Sequence, residues 1–593
     1  MSRTTHRILS VSMMLVSIIL IIIRPTARVA TSQSYGSGWD DKAEYRWVEA
    51  TLKSLSLRER AGQLIVAVTS GEYANATGER LAEVRRQVSE NGVGGLIVRG
   101  GSPTEVAALT NEMQRLAKVP LLFAADYERG LRMQMKAGTP FTNNMGVAAA
   151  GDPQAAYRQG RITAEEARAI GINWLFSPVA DINNNPDNPV ISIRSFGEDP
   201  RRVSEFVVAY VRGVRAGGAL STLKHFPGHG DTAVDTHIGL AAIRADRARL
   251  DRLELVPFRA GIAHGADAVM TAHVAVPEAT GEALPASLSA KLTTELLRKE
   301  LNFGGLIVTD SLSMGAITKG FPGAEGALRA IKAGADVALT PPDARAAIDA
   351  LAGAVARGEI TEARIDESVR RVLRAKYRVG LSRQREVDTA AAKAHIERAE
   401  SVREAHRVAE HSLTLLRNAG GLLPLERGRA ASALFIVIAA DEDPEEGRTF
   451  VPEILKRVKG ARLRRTEPRT SAQEYEAIVA EASQAELLVI APFVKRAASK
   501  GTVALPEAQA AFVRRLIATG KPAAVIGFGS PYLIRQFPEA QVYVAAYAIE
   551  DVAQAAAARA LFGEVAFRGR LPVRVPGLFE LGAGIQLGAT KKQ

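Results

Sequence analysis

Lys224-His225-Phe226-Pro227-Gly228-His229-Gly230-Asp231-Thr232-Ala233-Val234-Asp235-Thr236-His237 places three histidines and two aspartates in one short glycine-containing stretch. The whole chain holds 9 histidines, so three of them beside two carboxylates mark this stretch as a chemical site rather than a run of ordinary structural residues. Two chemistries fit these residue types. Histidine and carboxylate side chains could hold a metal ion, or Asp235 could orient His237 and raise its pKa for general acid and base work. Spacing alone does not choose between them. The second reading requires a nucleophile elsewhere, and Val308-Thr309-Asp310-Ser311-Leu312-Ser313-Met314 supplies an aspartate directly after an apolar run. A carboxylate nucleophile with a histidine proton shuttle suits glycosyl transfer. The glycine neighbours of His229 and Asp231 predict that these two shape the loop through turn hydrogen bonds. His273, placed like the others after an apolar run, fits equally a group in the site and a hydrogen-bond partner behind it, and the sequence does not choose between them.

Residues so far apart in the chain need a scaffold that gathers them. Short apolar runs at residues 63–68, 95–98, 121–124, 174–178, 220–223, 268–271, 306–309 and 337–340 alternate with longer amphipathic segments. Eight strand–helix units in this span predict a (β/α)8 TIM barrel over residues 39–382, with strands apolar throughout because both faces are covered. Asp126, Asp181, Lys224, His225, His273 and Asp310 all fall at or just after the C-terminal ends of these runs, where barrel enzymes carry their chemistry. A polar linker is expected at 383–398. Beyond it, runs at 434–438, 487–490, 524–527 and 542–546 predict a second domain over 399–593, an open parallel α/β sandwich. Gly527-Phe528-Gly529-Ser530 is read there as a tight strand-to-helix turn, lacking the spacing of a nucleophile elbow or a dinucleotide fingerprint.

Composition narrows the classes. The 593-residue chain is 47% hydrophobic with a formal net charge of +12, and its basic residues are interleaved with acidic ones. That pattern describes a solvated basic surface, and no nucleic-acid-binding motif accompanies it. The absence of cysteine excludes disulfides, thiolate nucleophiles and thiolate metal sites. At the N-terminus, Arg3 and Arg7 precede an apolar run over residues 8–23 that closes at Arg24-Pro25, the order of an export signal. Residues 1–38 are therefore expected to form a signal peptide or membrane anchor plus linker, with the mature protein periplasmic or extracellular. Cleavage and retention both remain open, because Arg28 and Val29 interrupt the small residues Ala27 and Ala30.

The stretch 224–237 resembles the Lys-His-Phe-Pro-Gly-His-Gly-Asp-Thr-x-x-Asp-Ser-His signature of family 3 β-N-acetylglucosaminidases, with Thr236 in place of the serine. Asp310 falls on that family's nucleophile position, in a segment similar to Thr-Asp-x-Leu-x-Met. A third similar segment runs from Asp181-Ile182-Asn183 through Pro186 and Pro189-Val190-Ile191 to Arg194-Ser195-Phe196. Weaker likeness continues into Ala409-Glu410-His411-Ser412 and Gly569-Arg570-Leu571-Pro572-Val573, so it covers nearly the whole mature chain. The resemblance implies a retaining β-N-acetylhexosaminidase that removes terminal β-linked N-acetylglucosamine from peptidoglycan fragments or related glycans, without a cofactor or a metal. It further implies Asp310 as nucleophile, His237 as acid and base, Asp235 as its orienting partner, and Asp126, Arg194, Lys224 and His225 as sugar-binding residues. Where the family reads Asp-Gln-Glu-Gly-Gly, this chain reads Asp126-Tyr127-Glu128-Arg129-Gly130, and the family's following arginine is out of register, with Arg132 a shifted candidate.

Other readings stay in view at this stage. A family 3 β-glucosidase shares the barrel but usually takes its acid from the second domain. A metal-dependent hydrolase would use the histidine-rich loop, and a catalytically silent glycan-binding protein would keep only the pocket. Phosphate in place of water at the second step would make the enzyme a phosphorylase. A monomer that binds carbohydrate but not nucleic acid, held to a membrane at most by its N-terminus, is the expected form.

Overall fold

The computed structural model describes residues 41–72, 78–496 and 500–590. The N-terminal run read as an export signal lies outside them. No helix among the described residues is long and apolar enough to cross a membrane.

Eight parallel strands form the first sheet system: β1 (Ile65–Ser70), β2 (Gly95–Arg99), β3 (Leu122–Ala125), β4 (Trp174–Leu175), β5 (Thr222–Phe226), β6 (Ala268–Thr271), β7 (Leu306–Thr309) and β8 (Ala338–Leu339). Ladders join β8-β1-β2-β3-β4 and β5-β6-β7. Single parallel bridges, Trp174 to Leu220 and Val308 to Val337, close the two seams into a ring. Leu175 N donating to Leu220 O at 2.8 Å and Trp174 Nε1 donating to Thr222 Oγ1 at 2.8 Å seal the first seam. The sequence therefore folds as the (β/α)8 barrel its pattern predicts. Residues of β3, β5, β6 and β7 are buried throughout, which is why their runs carry no apolar–polar alternation. The crossover helices start where the chain supplies caps. Asp152 and Asp199, each followed by proline, accept hydrogen bonds from Gln154 N and Arg202 N at the heads of helices Pro153–Ala169 and Pro200–Ala216.

Two strand boundaries differ from the sequence reading. The run at 174–178 is regular only over Trp174–Leu175, and Val179 resumes contact by bridging to Lys224. β5 extends beyond the apolar run to Phe226, so Lys224 and His225 lie inside the strand rather than after it. Their polar groups are matched by buried carboxylates, which removes the cost that would otherwise end a buried strand at a lysine.

The second sheet contains β9 (Thr414–Asn418), β10 (Ala433–Ala439), β11 (Arg462–Thr466), β12 (Leu487–Phe493), β13 (Ala523–Gly527) and β14 (Val542–Ala545), in the order β9-β14-β13-β12-β10-β11. The expected wholly parallel sheet is corrected at one edge, because β9 pairs antiparallel with β14. The opposite edge, β11, escaped the sequence reading because Arg462-Leu463-Arg464-Arg465-Thr466 is a charged strand, exposed at Arg464 and Arg465, with no apolar run. Apolar clusters cover both faces, and Met145, Ala149 and Ile193 from the barrel's loops enter one of them. Asn143 Nδ2 donating to Tyr547 O at 3.1 Å and Asn183 Nδ2 donating to Tyr532 Oη at 3.2 Å tie the second domain across the C-terminal mouth of the barrel. The Gly527–Ser530 turn is the bland one expected, with Ser530 capping a short 3-10 helix, Pro531–Gln536.

Candidate active site

The barrel mouth holds a cavity of about 500 Å³ lined by Asp126, Glu128, Arg194, Lys224, His225, His229, His237 and Asp310, with Arg496 contributed by the second domain. Six of the seven residues singled out from the sequence line it directly. The seventh, Asp235, stands behind His237.

Asp310 follows β7 immediately, and its backbone N donates to Thr271 O of β6 at 2.9 Å, which fixes the carboxylate at the rim. Its Oδ1 accepts from Ser311 N at 2.7 Å. Burial alone would raise its pKa, but His225, His273, the Ser311 amide and Lys224 outweigh burial and lower it to about 2. The group is thus an anion in neutral solution, the form a nucleophile needs. His273 acts indirectly. Its Nε2 donates to Ser311 O and its Nδ1 meets Ser287 Oγ, both at 2.8 Å, so it pins the backbone beside Asp310.

His237 sits on the loop after β5. Its Nδ1 lies 2.7 Å from Asp235 Oδ1, and its backbone N donates to the same oxygen at 2.9 Å. A carboxylate accepts only, so Nδ1 carries the hydrogen and Nε2 is left to exchange a proton with a ligand. The exposures agree with this division, the Asp235 side chain being 2% exposed and that of His237 34%. The loop is held by close packing. A Cβ on Gly230 would stand 1.6 Å from Ile182 O, so only glycine lets the loop lie against the segment after β4. His229 donates or accepts at Thr232 Oγ1 (2.8 Å) and Thr236 Oγ1 (3.0 Å), the loop-shaping role expected for it. Burial pushes its pKa down to about 4, so it stays neutral. Asp231 pairs with Arg249, also a structural role.

The floor of the cavity is a charge cluster centred on Glu128. Arg194 donates from Nε to Glu128 Oε2 at 2.9 Å and from Nη2 to Glu128 Oε1 at 2.6 Å, a bidentate pair. Lys224 Nζ lies 2.8 Å from both Glu128 Oε1 and Asp126 Oδ1. Burial would lower the Lys224 pKa, yet Asp126 and Glu128 together raise it, so the ammonium keeps its charge while its side chain is only 2% exposed. Glu128 is held well below the usual carboxylate range, Arg194 and Lys224 outweighing its burial. His225 Nδ1 is 2.7 Å from Asp181 Oδ2, and Asp181 also accepts from His225 N and His229 N. This fixes the His225 ring, whose Nε2 is 3.4 Å from Arg194 Nη2.

Several assignments change in detail. Asp126, expected as a sugar-binding residue, pairs with Lys224 while lining the cavity. Arg132 does not line the cavity and instead pairs with Asp551 and Glu397, while Arg129 pairs with Glu550. Glu128 is a hub the sequence reading passed over, and Asp181, placed at a strand end by the sequence, is the hub that holds His225 and His229. Arg496 had no such signal. It follows β12, and its Nη1 donates to Val190 O at 3.3 Å, so the second domain completes the wall of a site otherwise built by the barrel. Among the described residues, no three histidine, aspartate or glutamate side chains converge as metal ligands would. The three histidines of the loop instead each turn to a different partner.

A closed parallel barrel carrying an ionised aspartate, a histidine–aspartate pair and a polar floor at its C-terminal mouth has the layout of a barrel enzyme. Residues 56–375 match the Glycosyl hydrolase family 3 N terminal domain and residues 413–583 the Glycosyl hydrolase family 3 C-terminal domain, so the chain belongs to glycosyl hydrolase family 3. It is 32% identical over 392 residues to the β-N-acetylglucosaminidase/β-glucosidase of Cellulomonas fimi, a match spanning 65% of this chain and 68% of that one. It is 38% identical over 262 residues to the β-hexosaminidase of Xylella fastidiosa (strain M23), spanning 42% of this chain and 77% of the relative. Among solved structures, a family 3 β-N-acetylglucosaminidase from Paenibacillus sp. str. FPU-7 superposes with a TM-score of 0.78 at 34% identity, covering 88% of this chain and 99% of that chain. The β-glucoside phosphorylase BglX superposes with a TM-score of 0.82 at 27% identity, covering 91% and 97%.

Proposed function

We propose that the protein is a retaining β-N-acetylglucosaminidase that removes terminal β-linked N-acetylglucosamine from peptidoglycan fragments outside the cytoplasm. The observation that carries this reading is the His237–Asp235 pair facing the same cavity as an ionised Asp310. Relatives named for β-N-acetylglucosaminidase and β-hexosaminidase activity support it. In the first step, a carboxylate oxygen of Asp310 bonds to the anomeric carbon as the glycosidic bond breaks, and His237 Nε2–H gives its proton to the departing oxygen. In the second, the now neutral His237 takes a proton from water, whose oxygen bonds to the anomeric carbon and frees Asp310. Asp235 holds the imidazole in the productive tautomer and stabilises its charged form. Most retaining glycosidases use a second carboxylate for this work. A histidine has an unperturbed pKa near 6.5, close to working pH, and serves both directions of transfer. Asp126, Arg194, Lys224 and His225 supply donors and acceptors for the sugar's hydroxyl and acetamido groups. Export rests on the charged-then-apolar N-terminus.

The test compares aryl N-acetyl-β-glucosaminide with aryl β-glucoside, with and without chelator. The proposal expects preference for the amino sugar and no loss on chelation. Strong preference for the glucoside would favour the β-glucosidase half of the Cellulomonas fimi relative's name, and activity abolished by chelator would favour a metal-dependent hydrolase.

A further inference from the structure

The cavity carries four permanent or near-permanent cations, Arg99, Arg194, Lys224 and Arg496, against the carboxylates of Asp126, Glu128 and Asp310. Arg194 and Lys224 are matched by Glu128 and Asp126, and Asp310 is reserved for the anomeric carbon. Arg99 also pairs with no carboxylate among the described residues but ends β2 exposed to solvent, whereas Arg496 is half-buried. Among the described residues it has no carboxylate partner, and its one side-chain hydrogen bond goes to Val190 O, the same carbonyl that accepts from Arg194 Nη1 at 3.2 Å. Two guanidinium groups therefore converge on one oxygen, and only one of them has a counter-ion. The nearby Arg129 adds to the excess but is itself paired with Glu550. Burial, with Arg194 close by, lowers the Arg496 pKa to about 10, which still leaves it charged in neutral solution. A partly buried cation left in this condition is a ready-made seat for an anion.

The position of that seat says which part of a substrate reaches it. Arg496 is anchored on Val190 O, two residues from Asn188, whose Nδ2 donates to His229 O and Gly230 O of the loop that carries His237, and Arg496 and His237 line the same cavity. Since His237 protonates the departing oxygen, the region beside the Asp235–His237 pair belongs to the leaving group.

We propose that Arg496, supplied by the second domain, is a specificity-determining residue that binds a carboxylate on the leaving-group sugar. The inference rests on the glycosidase reading and adds to it a preferred substrate class, N-acetylglucosaminides whose leaving group is an anion. It also gives the second domain a part in recognition, although every reacting group lies on the barrel.

The experiment uses the full chain and two matched substrates, 4-carboxyphenyl and 4-carbamoylphenyl N-acetyl-β-glucosaminide, which differ in the charge of the leaving group. The readout is the ratio of kcat/KM for the charged substrate to that for the neutral one. In Arg496→Gln this ratio should fall by roughly tenfold, the scale of one charge-assisted hydrogen bond. Arg496→Lys should recover part of it, and added salt should narrow the gap. A merely structural role would lower both rates alike and leave the ratio where it was, which overturns the proposal. Phosphate that accelerates the wild type on the neutral substrate but not Arg496→Gln would assign the seat to a free oxyanion, and the leaving-group assignment would fall. If the wild type cleaves neither substrate, the glycosidase reading itself fails, whereas cleavage of both with an unmoved ratio removes only this inference.

Discussion

Both halves of this chain end parallel strands in polar loops, the place where open and closed α/β sheets bind ligands, yet they use those loops differently. At the barrel mouth, charged groups converge on a cavity and leave reactive atoms exposed to it, Asp310 and His237 Nε2 above all. At the corresponding end of the second sheet, Asp441 pairs with Lys500 at 2.7 Å and Asp443 with Lys495 at 2.6 Å, so the carboxylates are taken up by two lysines of the segment that follows β12. That segment in turn delivers Arg496 to the barrel. Topology thus gives each sheet a place for a site, but the side chains decide whether it becomes reactive or supports its neighbour.

Substitutions can break or sharpen this contrast. The largest effect is expected at Asp310→Asn, which keeps the shape but removes the anion and should lower kcat on the order of 10⁴-fold or more in steady-state assays. His237→Ala should cost about 10²–10⁴-fold, with most of the loss reproduced by Asp235→Asn because the imidazole then loses its fixed tautomer. Equivalent changes at Asp441 or Asp443 should leave bond cleavage far less affected, and losses as large as those at His237 would dissolve the distinction between the two sheet ends.

Stability separates the regions in a second way. Glu128→Gln leaves Arg194 and Lys224 sharing too little negative charge in a buried cluster, and chemical denaturation should show a loss of about 3–5 kcal/mol. Gly230→Ala forces a methyl group into the Ile182 carbonyl and should cost about 1–3 kcal/mol, with His237-dependent turnover falling as its loop shifts. An effect of the opposite sign belongs to the second sheet. Glu446 is fully buried, with no hydrogen-bond partner for Oε1 among the described residues, and burial, reinforced by Asp441 and Asp443, raises its pKa from 4.5 to about 8. The folded state therefore holds a proton that the unfolded chain releases near 4.5, so stability declines as pH rises through that window and the penalty is complete above about 8. Glu446→Gln removes the titration, and its Tm advantage over the wild type should grow from pH 5 to pH 8 by no more than a few degrees. A constant difference across that range would contradict the assignment.

The barrel was legible because each buried parallel strand is an uninterrupted apolar run and because the polar residues cluster at one end of those runs. The proposed reacting trio was legible in two parts, since histidine and carboxylate density marked residues 224–237 and Asp310 stood directly after an apolar run, while the role of each came from the resemblance to the family. Glu128 was hidden by its neighbour. Two residues after Asp126, it looked like part of a variant segment, and only the fold shows that Arg194, from the 3-10 helix Ser192–Arg194, and Lys224, from β5, meet on it. Arg496 could not be read at all, because its role depends on how the second domain is seated over the barrel. β9 and β11 were missed where tertiary pairing, not apolar content, makes an edge strand.

The central claim is that Asp310 bonds to carbon while His237 moves the proton. Mass spectrometry of peptides from enzyme inactivated with a 2-deoxy-2-fluoro or 5-fluoro glycosyl donor tests it most directly. The sugar should be found on Asp310, with labelling abolished in Asp310→Asn and slowed in His237→Ala for donors that need protonation. A label on any other side chain, or full labelling of the Asp310 variant, would contradict the account.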